Sequence, residues 1–295
     1  LGRHMGKNQR AKDQRREMGR IVDLMAKYQV QLPVELVKSP HFEQLRMPFA
    51  EKVALFLAPM DRERSEGSLR EGTRMLHESL NVLFDRAPDT IRFEDRPETL
   101  KMACQPGCNH CCTLRVAIKA PEAILLAHTL RKRLSTEELA ALNDRIQNFE
   151  AELATKSIIE RAYRSMLCPL NVDSLCIAYL HRPVNCSSYH SFSLQACLDD
   201  MANPAAGTVV PTDPYRRMLQ TMHGQALECG LMALGLDHDN LELVPALRIA
   251  LADPDAGAKY LHGDPVFAEA NQPELREALD RELESRPMTK IPVKE

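Results

Sequence analysis

Apolar residues recur at intervals of three and four along most of this chain, and few runs alternate with a period of two. Over residues 7–30, Met18, Ile21, Val22, Met25 and Tyr28 share one face of an amphipathic helix, which Pro33 should end. Leu69, Thr73, Leu76, Leu80 and Leu83 define a second helix over residues 68–86. Residues 114–119 read as a short extended piece, and Pro121 then suits the first turn of a helix reaching about residue 133. Ser135 and Glu138 form a capping box. The helix they open carries Leu139, Leu142, Ile146, Phe149 and Leu153, a heptad-like face for another helix of this chain or of a second copy in a homo-oligomer. Asp213-Pro214 opens a helix that Gly235 closes, and Asp264-Pro265 and Gln272-Pro273 open two more. Residues 286–295 read as irregular. The fold class is mostly α, a helical protein with a cysteine-rich, loop-containing core.

Pro88 and Pro97 bracket a polar stretch that divides the chain. The expected organisation is an N-terminal helical arm over 1–95, a cysteine-cluster metal-binding domain over 96–200, and a C-terminal helical region over 201–295. Residues Leu1-Gly-Arg-His-Met5 read as the scar of a cleaved expression tag, with Met5 as the expected native start.

A hydrophobic fraction of 44% and a charged fraction of 27% place the chain among soluble globular proteins. No apolar run approaches the roughly 20 residues a membrane span needs. The net charge of −3 argues against nucleic acid as a partner of the whole molecule. One local exception is the first helix, where Lys7, Arg10, Lys12, Arg15, Arg16 and Arg20 face only Asp13 and Glu17. That stripe suits an acidic partner or RNA, although a solvated helix face is the preferred reading. Residues 6–20 are too polar for a secretory signal, so the cytoplasm, with reduced thiols, is the expected compartment.

The candidate chemistry lies in the cysteines. Seven of nine fall in two clusters: Cys104, Cys108, Cys111 and Cys112, then Cys168, Cys176 and Cys186, with Cys197 as a further candidate. Thiols this dense suit a soft metal or a metal–sulfur cluster, and an odd count in a chain of this size argues against a disulfide framework. Cys108 and Cys111 have the spacing that wraps one ion, and Pro106-Gly107 supplies a turn that brings Cys104 beside them. Adjacent Cys111 and Cys112 tend to diverge, which suits two metals or different irons of one cluster. Arg182 beside the second cluster would offset the net −2 of four thiolates on a divalent ion, or else makes an ordinary surface pair. Two four-ligand zinc sites fit the count, and so does one iron–sulfur cluster with a structural zinc.

Cys104-x3-Cys108-x2-Cys111 also matches the spacing found in radical S-adenosylmethionine enzymes. Those need a β/α barrel, and nothing here alternates strand and helix. Cys229, in an apolar helix, reads as a core residue. His110, His181 and His190 flank the clusters and stay open as ligands. Asp199-Asp200 and Asp237-His238-Asp239 read as solvated loops. No phosphate loop, glycine-rich nucleotide motif or Ser/His/Asp set is present.

The order Cys104-x3-Cys108-x2-Cys111-Cys112, Cys168-Pro-Leu, Cys176-Ile-Ala-Tyr179 and Arg182-Pro183-x-x-Cys186 resembles the YkgJ-like cysteine-cluster proteins, over about residues 100–200. The resemblance implies chelation of zinc or iron, without a settled reaction. A flagellin lysine methylase is similar in its cysteines, which extends the implied roles to group transfer such as protein methylation. This chain departs from the family in its three-residue first gap, in Ala178 before Tyr179, and in Ser187 after Cys186. The expected function is therefore a metal-binding protein holding zinc, iron or an iron–sulfur centre, with an unknown protein partner or substrate. The alternatives are a metal-dependent enzyme, and an adaptor that binds RNA or protein through its basic first helix.

Overall fold

The computed structural model describes residues 7–87, 90–92, 99–157, 160, 166–203, 208–273 and 277. Four helices come first: α1 (Lys7–Lys27), α2 (Val34–Val37), α3 (Phe42–Arg62) and α4 (Glu66–Arg86). A hairpin of β1 (Thr90–Arg92) and β2 (Thr99–Lys101) precedes the cysteines. After a 3-10 turn at His110–Thr113 come β3 (Ala117–Ile118), α5 (Ala120–Arg133) and α6 (Thr136–Ala154). The second cysteine region holds β4 (Asn171–Val172), β5 (Leu175–Cys176), α7 (Val184–Ser188) and α8 (Leu194–Ala202). The chain continues through α9 (Pro214–Ala233), β6 (Leu241–Glu242), α10 (Leu243–Ala252) and α11 (Ala256–His262). The protein is thus mostly helical, and its strands are pairs of two or three residues.

One core draws on the chain from Leu36 to Ala270, with Phe49, Val53, Leu57, Leu126, Leu227 and Leu247 among its buried side chains. At its centre α3 lies against α4 and α9. Phe56 is fully buried there, and both neighbours meet it with glycine: a Cβ on Gly72 would collide with the Phe56 carbonyl oxygen, and one on Gly230 with its ring. Close packing of this kind tolerates no added methyl group without movement. α3 lies where the periodic positions named above predict no element. It contains Pro48 and Pro59, each of which removes a backbone donor, so its helical period is hidden behind residues that normally break helices.

The capping-box prediction is met atom for atom. Glu138 N–H donates to Ser135 Oγ at 3.2 Å, and Ser135 N–H donates to the Glu138 carboxylate at 2.8 Å. On α6, Leu142, Ile146, Phe149 and Leu153 are buried, and α10 packs against this helix within the same chain. Asp213 caps α9 by accepting from Tyr215 N–H at 2.9 Å, and Gly235 follows the helix at φ 65°. β3 pairs antiparallel with β6, Ala117 opposite Glu242 and Ile118 opposite Leu241, so the cysteine region is tied to the C-terminal helices.

Three details differ from the sequence reading. α1 ends at Lys27 rather than at Pro33, because Gln29 takes a positive φ of 47°. Its buried face is also narrower: Ile21 packs on Ala50 and Ala54, whereas Met18 and Val22 stay exposed. After Asp264-Pro265 the chain makes only a 3-10 turn at Ala268–Ala270. The bracketing Pro88 and Pro97, most of the stretch after Gln272-Pro273, and residues 286–295 lie outside the described residues. No helix among the described residues is long and apolar enough to cross a membrane.

Candidate functional site

The first cysteine cluster is shaped by two tight turns. Cys108 N–H donates to Gln105 carbonyl at 2.9 Å, and Gly107 takes φ 87°, a conformation that a side chain disfavours. Cys112 N–H then donates to Asn109 carbonyl at 2.9 Å, which opens the 3-10 turn at His110–Thr113. Successive residues in such a turn point about 120° apart. Cys111 lines the cavity and Cys112 lies towards the second cluster, with the two thiols in hydrogen-bond contact.

Cys112 faces the second cluster. Cys168 N–H donates to the Cys112 carbonyl at 2.9 Å. β4 and β5 form a hairpin whose Asp173 and Ser174 both have positive φ, 49° and 63°, the requirement of a type I′ turn. The register sets Asn171 opposite Cys176. Asn171 N–H donates to Cys168 carbonyl at 2.9 Å, and its side-chain Nδ2 donates to Cys112 Sγ at 3.5 Å. Cys168, Cys176 and Cys186 all pack against the main core.

Cys186 sits on α7, and the start of that helix is held by a residue far away in sequence. Glu122, in the first turn of α5, is buried and accepts from Val184 N–H at 2.8 Å and from Lys119 N–H at 2.9 Å. His77 Nε2 from α4 lies 3.1 Å from the same carboxylate. One carboxylate therefore joins α4, α5 and the Arg182-Pro183-x-x-Cys186 segment. Burial pushes its pKa up, but His77 and the two backbone donors outweigh burial and hold it below the usual carboxylate value.

Four more cysteines, Cys104, Cys108, Cys111 and Cys197, border a cavity. Cys104 is exposed, and its Sγ accepts from Ser191 N–H at 3.3 Å. Cys197 lies on α8, which Ser193 caps and which packs on the His110–Thr113 turn. Cys104, Cys108, Cys111 and Cys197 share the wall of an open cavity of about 690 Å³ with His110 and Arg115. Arg115 is ion-paired with the buried Glu242. Cys229 lies buried in the core, as its apolar neighbours predict.

The electrostatics follow from this layout. Burial pushes the Cys186 thiol up to about 12, with the charges of Cys168, Cys176 and Cys112 adding to the effect and Arg182 opposing it. Cys111 and Cys112 share a proton: the Cys111 thiol donates to Cys112, which lowers the pKa of Cys112 and raises that of Cys111. Asn171 and Arg182 also stabilise the Cys112 thiolate. The Arg182 guanidinium stacks 4.1 Å from the centroid of the Tyr179 ring, and its charge favours the thiolates of Cys104, Cys112, Cys176 and Cys186. Its buried Nε and the buried Oδ1 of Asn171 have no hydrogen-bond partner among the described residues.

The histidines divide. Both ring nitrogens of His190 are engaged, Nδ1 with Ser188 carbonyl at 2.6 Å and Nε2 with Asp213 N–H at 2.8 Å, so its ring has no free donor atom for a metal. His110 lines the cavity. Among the described residues, no group of three or more Cys, His, Asp or Glu side chains is gathered tightly enough to hold an ion as they stand. The soft donor set and the orphaned Arg182 Nε suit a thiolate-bound metal.

Glu122, His77 and Asn171 are absent from the sequence-derived candidates. The available signal for Glu122 was an acid inside the apolar run Ala120–Leu126, which is disfavoured unless it is satisfied. Nothing in the local sequence marks His77 or Asn171. The chain matches no protein-family model, no curated protein and no solved structure.

Proposed function

We propose that this chain is a metal-binding protein whose cysteines hold zinc, iron or an iron–sulfur centre, in the manner implied by its resemblance to the YkgJ-like cysteine-cluster proteins. The observation that carries this reading is the approach of Cys112 to Cys168, Cys176 and Cys186, which come from segments more than fifty residues apart. Packing alone gives no reason to collect polarisable thiols around one guanidinium. A metal does, because thiolate ligands need both convergence and charge compensation. A bound ion would supply Lewis acidity or electron transfer. The protein's own groups would contribute the hydrogen bond from Asn171, the charge of Arg182 and the rigid seat that Glu122 gives α7.

An enzymatic role is the second reading, favoured by the cavity beside Cys104, Cys108, Cys111 and Cys197. Metal analysis of anaerobically purified protein, with its visible absorption spectrum, tests the proposal. Iron with acid-labile sulfide and a brown chromophore supports the redox or group-transfer role, and stoichiometric zinc in a colourless protein supports a structural one. Absence of any tightly bound metal, together with failure of the metal-free protein to take one up, refutes both.

A further inference from the structure

We propose that the eight clustered cysteines form two separate thiolate centres, an inner one from Cys112, Cys168, Cys176 and Cys186 and an outer one from Cys104, Cys108, Cys111 and Cys197 that opens onto the cavity. This rests on the metal-binding reading above and assigns its ligands.

Two independent observations divide the cysteines along this line. The cavity wall contains Cys104, Cys108, Cys111 and Cys197 and none of the other four. Conversely, Cys168, Cys176 and Cys186 pack against the main core, and Cys112 is joined to them by the Asn171 side chain and the Cys168 N–H. The two sets meet at one adjacent pair, Cys111 on the cavity wall and Cys112 against the second cluster, whose thiols are hydrogen-bonded to each other. Cys197 reaches the outer set because α8 packs on that turn.

The two centres differ in access. The inner set is walled by core side chains and by Arg182, whose buried Nε–H has no acceptor among the described residues and can donate to a metal-bound thiolate. Four thiolates close that coordination sphere, which is the pattern of a structural site. The outer set includes the exposed Cys104 and borders a cavity large enough for a small molecule. The outer ion is therefore the one that exchanges and meets exogenous ligands.

The test loads the full-length, metal-free protein with cobalt(II) under anaerobic conditions and reads thiolate-to-cobalt absorption and bound cobalt per chain. Two equivalents are expected, of which a soluble chelator removes one in a fast phase and the other in a much slower phase of equal amplitude. Cys111→Ser and Cys197→Ser should each lose the fast equivalent and keep the slow one. Cys112→Ser and Cys176→Ser should lose the slow equivalent and keep the fast one. The opposite effects of adjacent residues 111 and 112 form the sharpest comparison, and the biphasic release of the unmutated protein needs no variant to fold. A single phase, or the same loss from all four variants, means one shared centre and overturns the division while leaving the metal-binding reading intact. No cobalt uptake removes both.

Discussion

Replacing Glu122 with Gln tests whether one buried carboxylate organises the approach to the cysteines. Oε2 accepts from Lys119 N–H at 2.9 Å, while Oε1 accepts from Val184 N–H at 2.8 Å and faces His77 Nε2 at 3.1 Å. Glutamine keeps one oxygen. If that oxygen serves Val184 and His77, its amide nitrogen faces Lys119 N–H, and a buried backbone donor loses its acceptor at a cost of about 1–3 kcal/mol. The two remaining bonds lose their charge assistance, about 1 kcal/mol each. Together the expected loss is about 3–5 kcal/mol at neutral pH, a large share of the roughly 5–15 kcal/mol typical of a folded domain. Urea titrations of both proteins, followed by far-ultraviolet circular dichroism, measure it. The pH dependence gives a second, independent reading. The carboxyl is held below its ordinary value of 4.5 in the folded protein, so the unfolded chain takes up the proton first as pH falls. Stability from Glu122 is fully present above that ordinary value and is lost as pH falls through the lower, folded one. The gap between wild type and Glu122→Gln should therefore close in acid. A loss below about 1 kcal/mol at neutral pH, or a gap that is unchanged through the acid range, would refute the strut.

Gly72→Ala should lower stability by at least about 1–3 kcal/mol, seen as a reduced melting temperature, because the new Cβ meets the Phe56 backbone rather than a movable side chain. His223 is buried and its pKa is pulled down to about 4 by burial, so the folded protein favours the neutral ring. Stability should fall on the order of 3 kcal/mol as pH drops from 6.5 towards 4, and His223→Asn, which can keep the bond to Leu219 carbonyl, should lack that dependence in acid titrations. In metal-free protein at neutral pH, iodoacetamide should label Cys112 well before Cys186, as mapped by mass spectrometry, because one thiolate is stabilised by Cys111, Asn171 and Arg182 and the other is suppressed by burial. Equal labelling rates would contradict these environments.

What the sequence determined by itself is mostly local. Helical class, the Pro121 and Asp213-Pro214 helix starts, the Ser135–Glu138 capping box and the buried face of α6 all depend on residues within a turn or two of each other. Their physics is complete in a short window, so spacing and side-chain chemistry suffice to find them. The cysteines were legible as a cluster for the same reason, whereas the expected divergence of Cys111 from Cys112 is not met, because their thiols are hydrogen-bonded to each other. Tertiary structure decided the rest. α3 survives two prolines because burial of Phe49, Val53, Phe56 and Leu57 offsets the backbone bonds they remove. The hold of Glu122 on α7 and the bond of Asn171 to Cys112 span 62 and 59 residues, and no local pattern encodes them. The division of the thiols between core and cavity likewise appears only when α8, the 3-10 turn and the β4–β5 hairpin are packed together. Contacts of that range are set by which faces can be buried simultaneously, a property of the whole fold rather than of any segment.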